Sequence, residues 1–210
     1  MGVLLGILLT MMTTLSEGMF HTTYETEAQA DVFACNNTID SMIYYLQTDP
    51  EQLSEKFFCG LGMQDDTNKN AFYLIWKESS YDAEQQYSRL VLDVLVNEKP
   101  FLKDVVIESV VVDTMVGDRR DIRVDIHYAG SLIKEAYGSF HVQAISDQVT
   151  RLGMDVHVKF GWFFRIFISR KVYSDTVDWR LVRFVQNLKL TSEGVTVNDA
   201  YWSAVSQPSL

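Results

Sequence analysis

Apolar residues in the first quarter of the chain recur every three or four positions, which is the spacing of one helix face. Asp49 precedes Pro50, and a residue before proline is pushed out of the helical region, so a first helix is predicted to end there. Pro50 then opens a second, short helix, which Gly60 ends. The stripe of the first helix, which we predict to begin near residue 23, is Ala28, Val32, Cys35, Ile39, Met42 and Leu46.

The pattern between residues 72 and 96 is less regular. A short apolar run over residues 72–76 predicts a strand. Ser80 is a suitable N-cap for a further helix, whose apolar stripe ends before residue 97. The β-branched residues over positions 90–96 favour a strand as the competing interpretation.

After Pro100 the apolar period changes to two, which is typical of β-strands. Residues 104–115 are apolar on both faces, as in a central strand that is covered on both sides. Residues 179–190 satisfy both periods; we predict a strand because β-branched Val182 and Val185 favour it, and a capped helix is the alternative. Alternating patterns predict further strands over residues 122–128, 138–145, 152–160 and 162–172.

Helices followed by a long antiparallel meander predict an α+β fold with a curved sheet, in one domain over residues 21–190 with a polar tail over residues 191–210. This order, closed by the run Asp178-Trp179-Arg180-Leu181-Val182-Arg183-Phe184, resembles the cystatin-like cone fold of the nuclear-transport-factor and ketosteroid-isomerase superfamily. An apolar N-terminal segment before such a domain resembles the assembly subunits of type IV secretion and conjugation machines. That resemblance implies a role in protein contacts.

The chain also resembles the START-like helix-grip fold. In that alternative, residues 32–35 would end the first strand and residues 38–58 would form the small helices. Residues 174–190 would become a long C-terminal helix beside a lipid-sized cavity. The two resemblances therefore differ most clearly in the structure they imply for residues 179–190.

The N-terminal region combines an apolar run with an acidic segment. Residues 3–12 contain no charged side chain, and eight acids precede Lys56, the first basic residue. A helix that spans a bilayer needs about 20 apolar residues, so residues 1–20 predict a short membrane anchor or a helix packed on the domain. The acidic flank favours an extracytoplasmic domain. The alternative is a soluble cytoplasmic protein, if translation starts at Met19.

Composition narrows the classes of function. The 210 residues carry 28 acids against 18 bases, and this charge of −10 argues against nucleic acid as a partner. Cys35 and Cys59 lack metal-ligand spacing, so structural zinc is excluded and two buried thiols are predicted, with a single disulfide as the alternative. The sequence has no cofactor-binding fingerprint, and we expect neither a metal nor a cofactor.

Three histidines, His127, His141 and His157, are the residues best suited to acid–base or metal chemistry. Strand alternation places each among polar positions and off the apolar face. A hairpin turn at residues 147–149 would set His141 opposite Asp155, which predicts a surface pair. The sequence contains no nucleophile elbow and no spaced carboxylate pair, so we assign no catalytic residue and do not expect catalysis.

Residues 151–193 contain an excess of basic residues, with eight bases against four acids, although the whole chain is acidic. The alternative to a functional surface here is a solvated basic face over buried aromatic residues. A docking face for an acidic partner is predicted from Arg165, Arg170, Lys171, Arg180 and Arg183. The walls of a ligand pocket are predicted from the interleaved aromatic residues Trp162, Phe164, Phe167 and Trp179.

Three functions are compatible with these patterns. The apolar N-terminus, the charge asymmetry and the missing catalytic motif predict a non-catalytic assembly subunit of a membrane complex, which acts through protein partners or self-association. The first alternative is a START-like carrier that binds a lipid or another apolar ligand. The second is an isomerase-type pocket enzyme, whose Asp base and Tyr donor cannot be assigned to residues of this chain.

Overall fold

The computed structural model of the protein describes residues 17–27, 33–60, 72–96, 99–128, 130, 133–161, 170–198 and 201–202. The fold is α+β, as predicted. In chain order its elements are β1 (Glu17–Glu27), α1 (Ala34–Thr48), α2 (Pro50–Phe57), β2 (Phe72–Asp82), β3 (Tyr87–Val96), β4 (Lys99–Val116), β5 (Arg119–Tyr128), β6 (Ile133–Ala144), β7 (Val149–Phe160) and α3 (Arg170–Ser192).

The described strands form one seven-stranded antiparallel sheet in the order β1-β7-β6-β5-β4-β3-β2. Strands β2 to β7 follow one another as a meander, since each is paired with its neighbour in sequence. The first strand closes the other edge by pairing with the last, from Glu17 opposite Lys159 to Glu27 opposite Val149. The sheet therefore joins the two ends of the domain.

The two short helices follow the predicted pattern closely. α1 buries Cys35, Ile39 and Met42 from the predicted stripe, and it ends before Asp49. The Asp49 side chain then accepts a hydrogen bond from the backbone N–H of Gln52, at 3.1 Å, and so caps α2. Gly60, which follows α2, has a φ of +67°, a left-handed conformation that glycine adopts without steric cost.

The long C-terminal helix corrects the strand prediction for residues 179–190. These residues, together with residues 170–172 of the predicted preceding strand, belong to α3. Leu181, Phe184, Val185 and Leu188 are buried at helical spacing against the sheet and the other helices. Burial of this single face outweighs the weak strand preference of the β-branched residues. A long helix across an antiparallel sheet is the helix-grip arrangement, so the preferred cone fold is corrected to its stated alternative.

Three predictions for the first half of the chain also need correction. Residues 17–27 form β1, so the anchor or helix predicted over residues 1–20 is wrong for its last four residues; residues 1–16 lie outside the described residues. The first helix begins at Ala34 instead of near residue 23. The helix predicted after Ser80 is wrong and its competing strand is right, because β3 pairs with β2 on one side and with β4 on the other.

The core lies between the concave face of the sheet and the helices. Its members from the helices are Cys35, Ile39, Met42, Leu53, Phe57, Phe184, Val185 and Leu188, and those from the sheet are Val111, Ile122, Val124, Phe140, Val142 and Leu152. Cys35 and Cys59 are buried and form no disulfide, which confirms the prediction of two buried thiols.

The chain after α3 folds back onto the end of α2. Trp202, which lies in the predicted polar tail, is buried with Cys59 and Val197. Its indole N–H donates to Oδ1 of Asn187 at 2.9 Å, and Nδ2 of this fully buried asparagine donates to the backbone carbonyls of Phe57 and Cys59, each at 2.9 Å. One side chain therefore joins α2, α3 and the C-terminal segment.

Candidate functional site

Gly138 leaves room for a side chain in the middle of β6, on the concave face of the sheet. Phe140 and Val142 of this strand belong to the core, and strand alternation places Gly138 on the same face. Among the described residues, a Cβ atom added to Gly138 would have one heavy atom within 4 Å outside its chain neighbours, the backbone oxygen of Asp155 at 3.9 Å. That Cβ atom would therefore meet no described side-chain atom within 4 Å.

The residues around this space are apolar. Val124 and Val156 flank Gly138 in register on β5 and β7, and the next row consists of Ile126, Ala136 and Val158. We call these two rows the concave groove. They provide no charged or hydrogen-bonding side chain, so a molecule lying on them would contact hydrocarbon alone.

The concave groove is closed at one end by packed aromatic rings. Phe184 of α3 contacts Phe140 with ring centroids 6.3 Å apart and stacks on Phe58 at 5.1 Å. On the β7 side of the groove Val156 and Val158 are half-buried, and beyond them β7 pairs with β1.

The predicted pocket walls cannot be compared with this groove. Trp162, Phe164 and Phe167 lie outside the described residues, and Trp179 lies in α3 at a position whose side chain is not described. They remain predictions. The groove residue that sequence reasoning missed is Gly138, for which the available signal was a glycine two positions from Ala136 and Phe140 in a central strand.

The predicted docking residues are divided between described and undescribed parts of the chain. Arg165 lies outside the described residues, and Arg170 and Lys171 are described only by their backbone in the first turn of α3. Arg180 and Arg183 are half-buried, and desolvation lowers the pKa of both. The Arg183 guanidinium lies 3.4 Å from the centre of the Trp202 ring, so it packs within the domain.

The predicted pair of His141 and Asp155 lies on the convex face of the sheet. His141 lies between two carboxylates, with Nδ1 at 2.6 Å from Asp121 and Nε2 at 2.8 Å from Asp155. The second contact confirms the predicted pair, but the predicted register is wrong. His141 is opposite Gly153, and Asp155, which is opposite Ser139, reaches it diagonally. Only the protonated imidazolium can donate to both carboxylates at once, and His141 then links three strands.

His157 lies on the same face and stacks on Tyr137, with ring centroids 4.9 Å apart. Strand alternation thus predicted the side of the sheet on which these histidines lie. Among the described residues no group of three or more His, Cys, Asp or Glu side chains is arranged to hold a metal ion. The same part of the chain contains no helix long and apolar enough to cross a membrane.

Acidification is expected to destabilise the protein through Asp121. Burial disfavours its charged form, but hydrogen bonds from Arg119 and His141 outweigh burial and lower the pKa of Asp121. The carboxylate therefore contributes stability above its ordinary pKa of about 4, and this contribution is lost as the pH falls through the lowered pKa of the folded state. Thermal melting across this range should show a smaller loss on acidification for Asp121→Asn than for the wild type. Equal losses would contradict the assignment.

No model of a known protein family matches the sequence, and no curated protein matches it. Solved structures do resemble it. The di-domain ARO/CYC StfQ from the steffimycin biosynthetic pathway has 10% identity and a TM-score of 0.51, with 88% of this chain and 54% of that chain covered.

A conserved protein from Geobacillus kaustophilus has 13% identity and a TM-score of 0.50, with 85% of this chain and 95% of that chain covered. A START superfamily protein from Mycobacterium smegmatis has 15% identity and a TM-score of 0.42, with 84% and 97% covered. At these identities the likeness is one of fold alone.

Proposed function

We propose that this protein binds an apolar ligand in the concave groove and acts as a carrier. The observation that supports the proposal is the room left at Gly138, where an added Cβ atom would meet no described side-chain atom within 4 Å, in the middle of an apolar face. A protein interior leaves few voids larger than a water molecule. An apolar space of this kind excludes water and favours hydrocarbon.

The chemistry of the groove favours binding over catalysis. Neither of its rows, Val124–Gly138–Val156 and Ile126–Ala136–Val158, provides a proton donor or acceptor. General acid–base catalysis needs such a group within hydrogen-bond reach of the reacting atom. An isomerase-type function therefore gains no support from the described residues of the groove.

The fold favours the carrier over the assembly subunit. A helix-grip domain encloses its concave face with a long helix, and this geometry suits a ligand that must be shielded from water. The assembly function was predicted from the apolar N-terminus, the charge asymmetry and the missing catalytic motif, and the cone-fold resemblance was consistent with it. The cone fold is corrected, and β1 takes up residues 17–20 of the predicted anchor.

Filling the groove is expected to abolish ligand binding while the fold remains intact. Nile red, a neutral apolar dye, should bind the wild type saturably at one site. Gly138→Leu places a side chain in the open volume, so it should weaken the dye by about tenfold or more, the equivalent of about 1.4 kcal/mol. Its melting temperature should not fall, because glycine in a strand interior is itself unfavourable.

The matched control is Ser139→Leu, which adds the same side chain to the next residue of β6 but on the convex face. It should leave dye affinity unchanged. Straight-chain alcohols should compete with the dye more strongly by about fourfold per added methylene, since each buried CH₂ contributes about 0.8 kcal/mol. Absence of saturable binding, or equal binding by the two leucine variants, would overturn the proposed function.

A further inference from the structure

The row of the concave groove that contains Ile126 continues across the sheet to two buried serines. Ile126 of β5 is opposite Ser109 of β4, and Ser109 is opposite Ser88 of β3. Ser109 lies two residues before Val111, a core residue of the concave face, so strand alternation places its side chain on that face. The apolar row therefore ends in two hydroxyl groups.

The two hydroxyl groups bond to each other and leave one hydrogen atom unused. The Oγ atoms of Ser88 and Ser109 are 2.6 Å apart, and either can be the donor. Each serine hydroxyl carries a single hydrogen, and one of the two forms the bond between them. The hydrogen of the accepting serine has no acceptor among the described residues. A buried hydroxyl without an acceptor is unfavourable, which indicates a further partner.

The position of Ser109 suits contact with a molecule in the groove. Ser88 is 1% exposed and Ser109 is 4% exposed, which is close to the 7% of Ala136, a member of the groove. Residues directly opposite each other on neighbouring strands have Cβ atoms about 4.5–5.5 Å apart, so the Ser109 side chain lies beside that of Ile126. When Ser88 donates to Ser109, the Ser109 hydrogen stays free for an acceptor in the groove.

We propose that the concave groove binds an apolar ligand with one uncharged hydrogen-bond acceptor, such as a ketone carbonyl, and that Ser109 donates to this acceptor. The inference rests on the proposed function and specifies the class of ligand. An ionised head group does not fit, because a buried charge needs a charged partner or several hydrogen bonds. The two rows of the groove provide neither, and the serine pair provides a single free hydrogen.

The test measures displacement of Nile red by heptyl methyl ketone and by nonane, which has the same number of carbon atoms but no oxygen. Ser109→Ala should weaken the ketone by about fivefold and leave nonane unchanged, because only the ketone loses a hydrogen bond. Ser88→Ala is the matched control. It also breaks the bond between the serines, so the two melting temperatures should fall equally, but it keeps the Ser109 donor and should leave the affinity for the ketone unchanged.

The outcomes separate this inference from the proposed function. If nonane displaces the dye but Ser109→Ala does not change the affinity for the ketone, Ser109 does not bind the ligand and the carrier function stands. An equal loss for both competitors, or for the ketone in both alanine variants, would show that the serines act through packing and would overturn the inference. If the wild type binds neither the dye nor the competitors, the carrier function itself fails.

Discussion

Replacing Asn187 with leucine is expected to destabilise the fold by about 3–5 kcal/mol, because it leaves three buried polar groups without partners. Nδ2 of Asn187 donates to the carbonyls of Phe57 and Cys59, and Oδ1 accepts the indole N–H of Trp202. The side chain is completely buried, so water cannot replace these bonds without opening the structure. Each unsatisfied buried group costs about 1–3 kcal/mol.

Urea denaturation followed by tryptophan fluorescence gives the free energy of unfolding of this variant. Gln186→Ala is the matched control, because it alters the neighbouring half-buried position of α3 and should change stability by less than about 1 kcal/mol. A loss for Asn187→Leu no larger than that of the control would show that the three groups are not held together as described.

Truncation of Ile122 is expected to cost about 2–5 kcal/mol, through lost burial and the cavity that remains. Ile122 is fully buried on β5 and belongs to the core between the sheet and the helices. Its strand partners Asp113 and Phe140 fix its position, so the site cannot collapse freely. The measurement is again the free energy of unfolding, for Ile122→Ala against the wild type.

Ile145→Ala provides the control for the same chemical change. This isoleucine is 44% exposed in the turn that follows β6, so its truncation should change stability by less than about 0.5 kcal/mol. Comparable losses at the two positions would contradict the placement of the core on the concave face of the sheet.

Local pattern was enough to predict much of the second half of the fold. Strands β5, β6 and β7 alternate with a period of two over most of their length, and each pairs with its sequence neighbour, so the pattern and the turns define them together. The end of α1 before Asp49 could likewise be predicted from the local sequence. The contact of His141 with Asp155 could be predicted because a short turn joins β6 and β7, although the register differs by two residues from the predicted one and makes the contact diagonal.

The elements that were missed depend on distant partners. β1 is stabilised by β7, from the opposite end of the chain, and it lacks a regular alternation of apolar and polar residues. Residues 179–190 fit both helical and strand periods, and the contacts of α3 with the sheet and the other helices decide between them. Tertiary packing thus overrides local preference in both β1 and α3.

The candidate site was the part of the protein that was hardest to predict from the sequence. Trp162, Phe164, Phe167 and Trp179 stay predicted pocket walls, because their side chains are not described. The described part of the groove is marked by the missing side chain at Gly138 and by the small residue Ala136 beside it. A missing Cβ indicates a space only when the register shows what lies across from it, and register needs the folded sheet.

An apolar ligand that lies in the concave groove should shift the amide resonances of the groove residues, and titration with Nile red followed by NMR measures these shifts. We expect the largest changes to cluster at Val124, Gly138 and Val156 and to saturate at one equivalent of dye. Changes centred on Asp121 and His141 of the convex face, or no saturable change at all, would contradict ligand binding in the groove.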